Sequence, residues 1–255
     1  MKIVKKLLGI LLLGFTLLAE GCGPNSPDCF QGSGELEQVT LDVPQFSGIT
    51  VFENIELVLR YGPQQEVVLE TGENLRSGVS ARVVDGILEL RDSNSCNYFR
   101  GYGRTTFYVT TPDLEVLRSS TGWPIRSEGV LPFTNLSLLS ESFNNPEAET
   151  TDGSFDLELD VERLQVVSNG IAFFKLQGRA AQFSVTIAAG DSKVDARDLE
   201  SEIVQVNHRG SNDISVRPTG RIFGLINGYG DVLSYDRPPV VEVEETFRGR
   251  LIFID

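Results

Sequence analysis

Residues 170–176, 190–196, 210–216 and 228–232 read GIAFFKL, GDSKVDA, GSNDISV and GYGDV, four variants of one pattern. In each, a glycine is followed four positions on by an apolar residue: Gly170 by Phe174, Gly190 by Val194, Gly210 by Ile214 and Gly228 by Val232. The first three add a second apolar residue at six positions, namely Leu176, Ala196 and Val216. A last, imperfect copy places Phe247 in the glycine column, ahead of Leu251 and Phe253. Positions 174, 194, 214, 232 and 251 are separated by 20, 20, 18 and 19 residues, one coil per step. A unit this short cannot bury its own apolar face, so it must stack on its neighbours and share a continuous core. The run from Leu164 to Phe253 therefore predicts a solenoid, with function on the faces, edges and ends of a stack.

Upstream, short alternating segments continue the same chemistry: Ile49 and Val51; Ile55, Leu57 and Leu59; Val67 and Leu69; Ile87, Leu88 and Leu90. A period of two with β-branched content predicts strands. Between them Tyr61-Gly62-Pro63, Thr71-Gly72 and Asp85-Gly86 are turns, because glycine admits positive φ without steric cost. Thr106 to Val109 leads through Pro112 to Leu114, Val116 and Leu117 and then to Trp123-Pro124-Ile125, the expected first full coil. Leu139 to Thr151 is polar and acidic and predicts a loop inserted between coils. Phe155 and Leu157 resume the pattern 19 residues before Phe174 and Leu176. No stretch after residue 21 sustains a 3.6-residue period, so the expected class is all-β.

The chain opens with Lys2, Lys5 and Lys6, followed by Leu7 to Leu18, apolar except for Gly9, Gly14 and Thr16. This is an export signal by pattern, and its apolar run falls short of the ~20 residues of a spanning helix. Ala19-Glu20-Gly21-Cys22 resembles a bacterial lipobox, which implies cleavage before Cys22 and lipid on its sulfur. A secretory signal with a coincidental cysteine is the alternative. Each buried acyl methylene adds roughly 0.8 kcal/mol, so a multiply acylated cysteine holds a protein stably at a membrane.

Losing residues 1–21 would change the net charge from −14 to −16. So acidic a surface repels polyanions and argues against nucleic acid as a partner. It also keeps an exported protein soluble. With Cys22 assigned to lipid, Cys29 and Cys96 remain. In an oxidising compartment they are expected to pair, closing a 67-residue loop worth about 4 kcal/mol in the chain-entropy model; two free thiols are the alternative. The expected organisation is a signal over 1–21, a tether over 22–35, an N-terminal β section over 36–110 and coils over 111–255.

The co-linear set Phe46-Ser47-Gly48-Ile49, Ile55-Glu56-Leu57-Val58-Leu59, Glu73-Asn74-Leu75 and Asp85-Gly86-Ile87-Leu88-Glu89-Leu90 resembles the GIN domain family, a putative autotransporter adhesin head domain of exported bacterial lipoproteins. The serial turns Ala189-Gly190-Asp191-Ser192, Gly210-Ser211-Asn212-Asp213 and Gly228-Tyr229-Gly230-Asp231 are degenerate versions of that family's Gly-Ser-Gly-Asp turn. The resemblance covers 36–255 as one unit. It implies a right-handed parallel β-helix and a place on the cell envelope, with an outer-membrane lipoprotein expected. It implies no activity, since a fold does not establish a function. Cys29-Phe30 and Asn94-Ser95-Cys96-Asn97 look like a subgroup feature that fits the disulfide.

Candidate chemistry is sparse. His208 is the only histidine, so a Ser/His/Asp triad would have to pass through it, with Asp213 or Asp191 within reach on an adjacent coil. A corner position needs no catalytic explanation. Asp191, Asp195, Asp213 and Asp231 fall near one edge of successive coils. They are either turn formers, which accept backbone N–H groups, or a carboxylate cluster like those of polysaccharide lyases and hydrolases. The segment 97–104 concentrates aromatics and arginines. Its Tyr98, Phe99, Arg100, Tyr102 and Arg104 form a candidate ligand surface for a glycan or an envelope protein; the alternative is a loop whose rings cover one end of the stack. Trp123 is expected in the core or a cap. The expected function is a lipid-anchored, non-enzymatic binding, adhesion or structural surface without metal or cofactor, the alternative being a carbohydrate-active enzyme.

Overall fold

A computed structural model describes residues 32–94, 105–148 and 150–254. Its seventeen strands are β1 (Leu36–Leu41), β2 (Gly48–Val51), β3 (Ile55–Tyr61), β4 (Glu66–Gly72), β5 (Val79–Val84), β6 (Ile87–Asp92), β7 (Thr105–Thr111), β8 (Val116–Ser119), β9 (Pro124–Leu131), β10 (Asn135–Ser140), β11 (Ser154–Ser168), β12 (Phe173–Ile187), β13 (Lys193–His208), β14 (Ile214–Ile226), β15 (Val232–Ser234), β16 (Val240–Glu245) and β17 (Leu251–Phe253). The only helical turn among the described residues is Arg76–Gly78. The chain is all-β, as its alternating patterns require.

One sheet joins all seventeen strands. From β11 to β14 each long strand pairs in parallel with the next, and these strands serve two branches at once. The first halves of β11 to β14 continue a branch built from β1, β4, β7, β3 and β9, which ends on β15 and β17. The second halves continue one built from β5, β6, β2, β8 and β10, which ends on β16. Ten inter-strand steps of about 4.8 Å give the first branch a length of about 48 Å.

The five positions picked out by spacing lie in register. Phe174 is opposite Val194, Val194 opposite Ile214, Ile214 opposite Val232 and Val232 opposite Leu251. The first four are fully buried, while Leu251, on the terminal strand, is partly buried. The column runs on through Phe155, Ile125, Leu57 and Phe107, all fully buried. A second column, Leu88, Ile49, Leu117, Leu138, Val166, Val185 and Val206, lies in the other branch. Both belong to a single core.

The corner glycines are sterically required. A Cβ on Gly228 would lie 2.3 Å from the Gly210 carbonyl oxygen, and one on Gly190 2.3 Å from that of Gly170, with Gly190 at φ 82°. The close approach lets the backbone ladder turn the corner: Asp191 N donates to Gly170 O, Ser211 N to Gly190 O and Tyr229 N to Gly210 O, at 2.8–3.0 Å. In the last copy Arg248 N continues this ladder to Gly228 O at 3.3 Å, so Phe247, which is exposed, holds the glycine place and Gly249 lies over Gly230.

The sheet is mixed rather than purely parallel. β1 and β7 run antiparallel to β4, and β5 runs antiparallel to β6. The cause of the second reversal is local, because Asp85 and Gly86 have φ 50° and 79°. Two positive-φ residues between strands make a tight hairpin, and Asp-Gly suits it. The polar segment after Leu139 leaves the strands at Ser140 and rejoins them at Ser154. Arg118 and Glu141 secure its start by an ion pair of 2.5 Å, with the Glu141 side chain wholly buried. The other carboxylate oxygen of Glu141 accepts the N–H groups of Phe143 and Asn144 at 3.0 Å each.

Candidate functional site

Outward side chains inherit the register of the columns, so each outward position becomes a row along the stack. On the first branch those rows are charged and internally paired. Lys175 Nζ meets Asp156 Oδ2 at 3.0 Å, Arg197 Nε meets Asp195 Oδ1 at 2.7 Å and Arg217 Nε meets Asp236 Oδ2 at 2.9 Å. Arg126 pairs with Glu56 and Arg60 with Glu128. Such pairs contribute little to stability, but each satisfies its own charge.

The second branch differs. Asn135, Arg163, Gln182 and Ile203 form one outward row across β10 to β13. Ser137, Gln165, Ser184, Gln205 and Phe223 form the next, across β10 to β14. A groove of about 350 Å³ lies along these rows, and no carboxylate lines it although the chain has 36 acidic residues. Its one charged lining residue, Arg163, donates from Nε to Asn135 Oδ1 at 2.6 Å. Ser137 Oγ donates to Gln165 Oε1 at 3.3 Å. At the far end Arg221 stacks over Phe223 at 4.3 Å and pairs with Glu242. The groove thus offers amide and hydroxyl groups on rigid strands, with an apolar patch from Ile203 and Phe223. A larger depression, about 600 Å³ beside β1 and β4, is lined by Asp42 and Glu66 among others and lacks such rows.

Those of the residues singled out from the sequence that fall within the described residues lie elsewhere. Cys22, Cys29, Cys96, Tyr98, Phe99, Arg100, Tyr102 and Arg104 are outside the described residues. His208 is fully buried, opposite Ile187 on one side and Ile226 on the other. The backbones of Asn212 and Gly230 approach its ring, but neither nitrogen makes a hydrogen bond of normal geometry. Burial lowers its pKa below the usual histidine range against the opposing pull of Asp213 and Asp231. An imidazole sealed in the core cannot reach a substrate.

Asp191, Asp213 and Asp231 act in turns, while Asp195 lies within β13. Asp213 Oδ1 accepts the Asp231 N–H at 2.8 Å, and Asp231 Oδ1 accepts the Arg250 N–H at 2.8 Å, so each carboxylate caps the equivalent turn of the following coil. Asp191 Oδ1 accepts from Ser211 Oγ at 2.7 Å, and Asp195 is held by Arg197. Among the described residues no three His, Cys, Asp or Glu side chains group as metal ligands. Trp123 is half-buried, and its backbone N–H donates to Thr121 Oγ1 at 3.1 Å. The groove residues carried no signal in the sequence, because an isolated outward glutamine is ordinary and only the register aligns several of them.

A model of the family described as "Putative auto-transporter adhesin, head GIN domain" matches residues 45–238. A "putative adhesin" from Bacteroides fragilis NCTC 9343 is 19% identical with a TM-score of 0.75, covering 87% of this chain and 98% of its own. A "putative adhesin" from Parabacteroides merdae ATCC 43184 has 14% identity and a TM-score of 0.59, with coverage of 88% and 98%. A "Putative lipid binding protein" from Parabacteroides distasonis ATCC 8503 has 14% identity and a TM-score of 0.57, with coverage of 88% and 99%. At these identities the structural likeness speaks to fold. No curated protein matches the chain.

Proposed function

Because this chain belongs to the head GIN domain family, we propose that it is a non-enzymatic binding surface of the bacterial cell envelope, anchored by lipid at Cys22. The family carries an adhesin name, and the structures it resembles carry adhesin or lipid-binding names and not enzyme names. The observation that carries the reading is the contrast between two faces of one rigid stack. One face neutralises its own charges in ion pairs, and the other leaves a carboxylate-free groove of hydrogen-bonding side chains. The aspartates that could have served as acid and base are engaged in turns or, for Asp195, in an ion pair with Arg197.

In this reading the coils wind as a right-handed parallel β-helix, the hand that crossovers between parallel strands take almost without exception. The chain enters at β1, and the terminal strands β16 and β17 lie at the other end of the stack. An N-terminal lipid followed by the tether over 22–35 would therefore hold the β1 end toward the membrane and project the groove away from it. A Cys29–Cys96 disulfide would tie the tether to the first β section, and the aromatic and arginine side chains of 98–104 would add a second contact surface for a glycan or envelope protein.

Two measurements on the full chain made in a bacterial host test this function. Mass spectrometry of the membrane fraction should find Cys22 as the N-terminus, bearing acyl chains; an unmodified Cys22 or cleavage elsewhere removes the anchor. Incubation with isolated envelope material should retain the protein and leave the material chemically unchanged. Release of cleaved fragments would establish an enzyme instead.

A further inference from the structure

We infer that the groove along β10 to β14 binds an uncharged, linear glycan, an assignment that rests on the non-enzymatic reading above and adds its ligand class. A side-chain amide presents a donor and an acceptor side by side, as neighbouring sugar hydroxyls do. Gln165, Gln182 and Gln205 place such a group on three successive strands, and all three are exposed. Arg163 adds further donors, its guanidinium oriented by Asn135. Ile203 and Phe223 supply an apolar surface for the C–H face of a sugar ring.

Charge separates this ligand from its competitors. A basic peptide would find no carboxylate in the lining, and a polyanion would find one guanidinium, Arg163, on a chain whose net charge of −14 opposes its approach. Adding an extended peptide as a strand needs an open sheet edge. Here β10 to β14 are each paired on both sides, so their backbone groups are committed. A neutral polyhydroxyl ligand remains. Outward rows repeat at the strand spacing of about 4.8 Å, so a ligand lying along the stack meets a new side chain at every strand. That geometry selects a polymer over a single sugar.

The test uses the full chain in detergent, passed over immobilised neutral polysaccharides (β-glucans, mannan, xylan and galactan) and acidic ones (polygalacturonate and alginate). At least one neutral polymer should retain the protein. The double variant Gln182→Ala/Gln205→Ala should weaken that retention at least tenfold. Both residues are exposed, so an unchanged circular dichroism spectrum is expected, and Asp156→Ala/Lys175→Ala on the ion-paired face should bind as the parent does. Retention by no neutral polymer, retention by acidic polymers alone, or retention unaffected by the double variant would overturn the assignment. Shortening of a polymer during incubation would overturn the non-enzymatic reading, while the double variant would still decide the groove.

Discussion

Phe155 and Phe174 stack face to face across β11 and β12, with ring centroids 4.7 Å apart and planes within 7°. The separation is close to the strand spacing itself. A parallel pair in register sets equivalent side chains directly over one another, and two planar rings at that distance fill the layer without a gap. The same register that builds this column inside the stack builds the rows of amides and ion pairs outside it.

Replacing Phe174 with alanine should therefore destabilise the protein by about 3–5 kcal/mol, because Phe155 and Val194 both lose a packing partner and the cavity is walled by strands that cannot collapse. Urea unfolding followed by circular dichroism measures it. A loss under about 1 kcal/mol would mean that the column does not carry the core.

Gly228→Ala should cost about 1–3 kcal/mol, since its methyl would meet the Gly210 carbonyl oxygen at 2.3 Å and the corner ladder would have to open. Gly129→Asn serves as the control. Gly129 has φ 84° and nothing within 4 Å of its Cβ position, and asparagine tolerates that conformation. The midpoint shift should be clearly larger at residue 228.

Glu141→Gln leaves the Arg118 guanidinium without a counter-charge. Breaking a buried pair from one side typically costs about 3–5 kcal/mol, while a neutral double replacement, Arg118→Met/Glu141→Leu, should cost less. The Glu141 carboxyl resists the upward push of its burial and stays below the usual value, through the N–H of Asn144, the Arg118 side chain and the N–H of Phe143. A depressed folded pKa means that the unfolded chain protonates first. Stability from this group is complete above the ordinary glutamate pKa and falls as pH drops through the folded value. Urea midpoints between pH 6 and 3 should show this loss in the parent and less of it in the variant.

His208 acts in the same direction at higher pH. Burial lowers its folded pKa, so below the ordinary histidine value of about 6.5 the unfolded chain gains a proton that the core excludes. Stability should be fully present above that value and decline from pH 7 toward pH 5. His208→Leu, between Ile187 and Ile226, should flatten the decline. Equal pH dependence in the parent and this variant would mean that the imidazole is charged in the folded state.

The sequence alone determined the all-β class, the inward column from Phe174 to Leu251 and the turn at Asp85-Gly86. Burial and backbone geometry restrict those positions to few residue types, so their spacing is visible in one chain. Only the tertiary structure decided which outward residues stand in line. Outward positions accept almost any polar side chain, and their alignment depends on pairing register, which shifts between Lys175 and Gln177 and again between Asp195 and Glu200. Counting from the glycines therefore loses Gln182, Ile203 and Arg221 in one row, with steps of 21 and 18 residues. The antiparallel pairing of β1 with β4 and the sealing of His208 inside the core were likewise settled by contacts between residues distant in the chain.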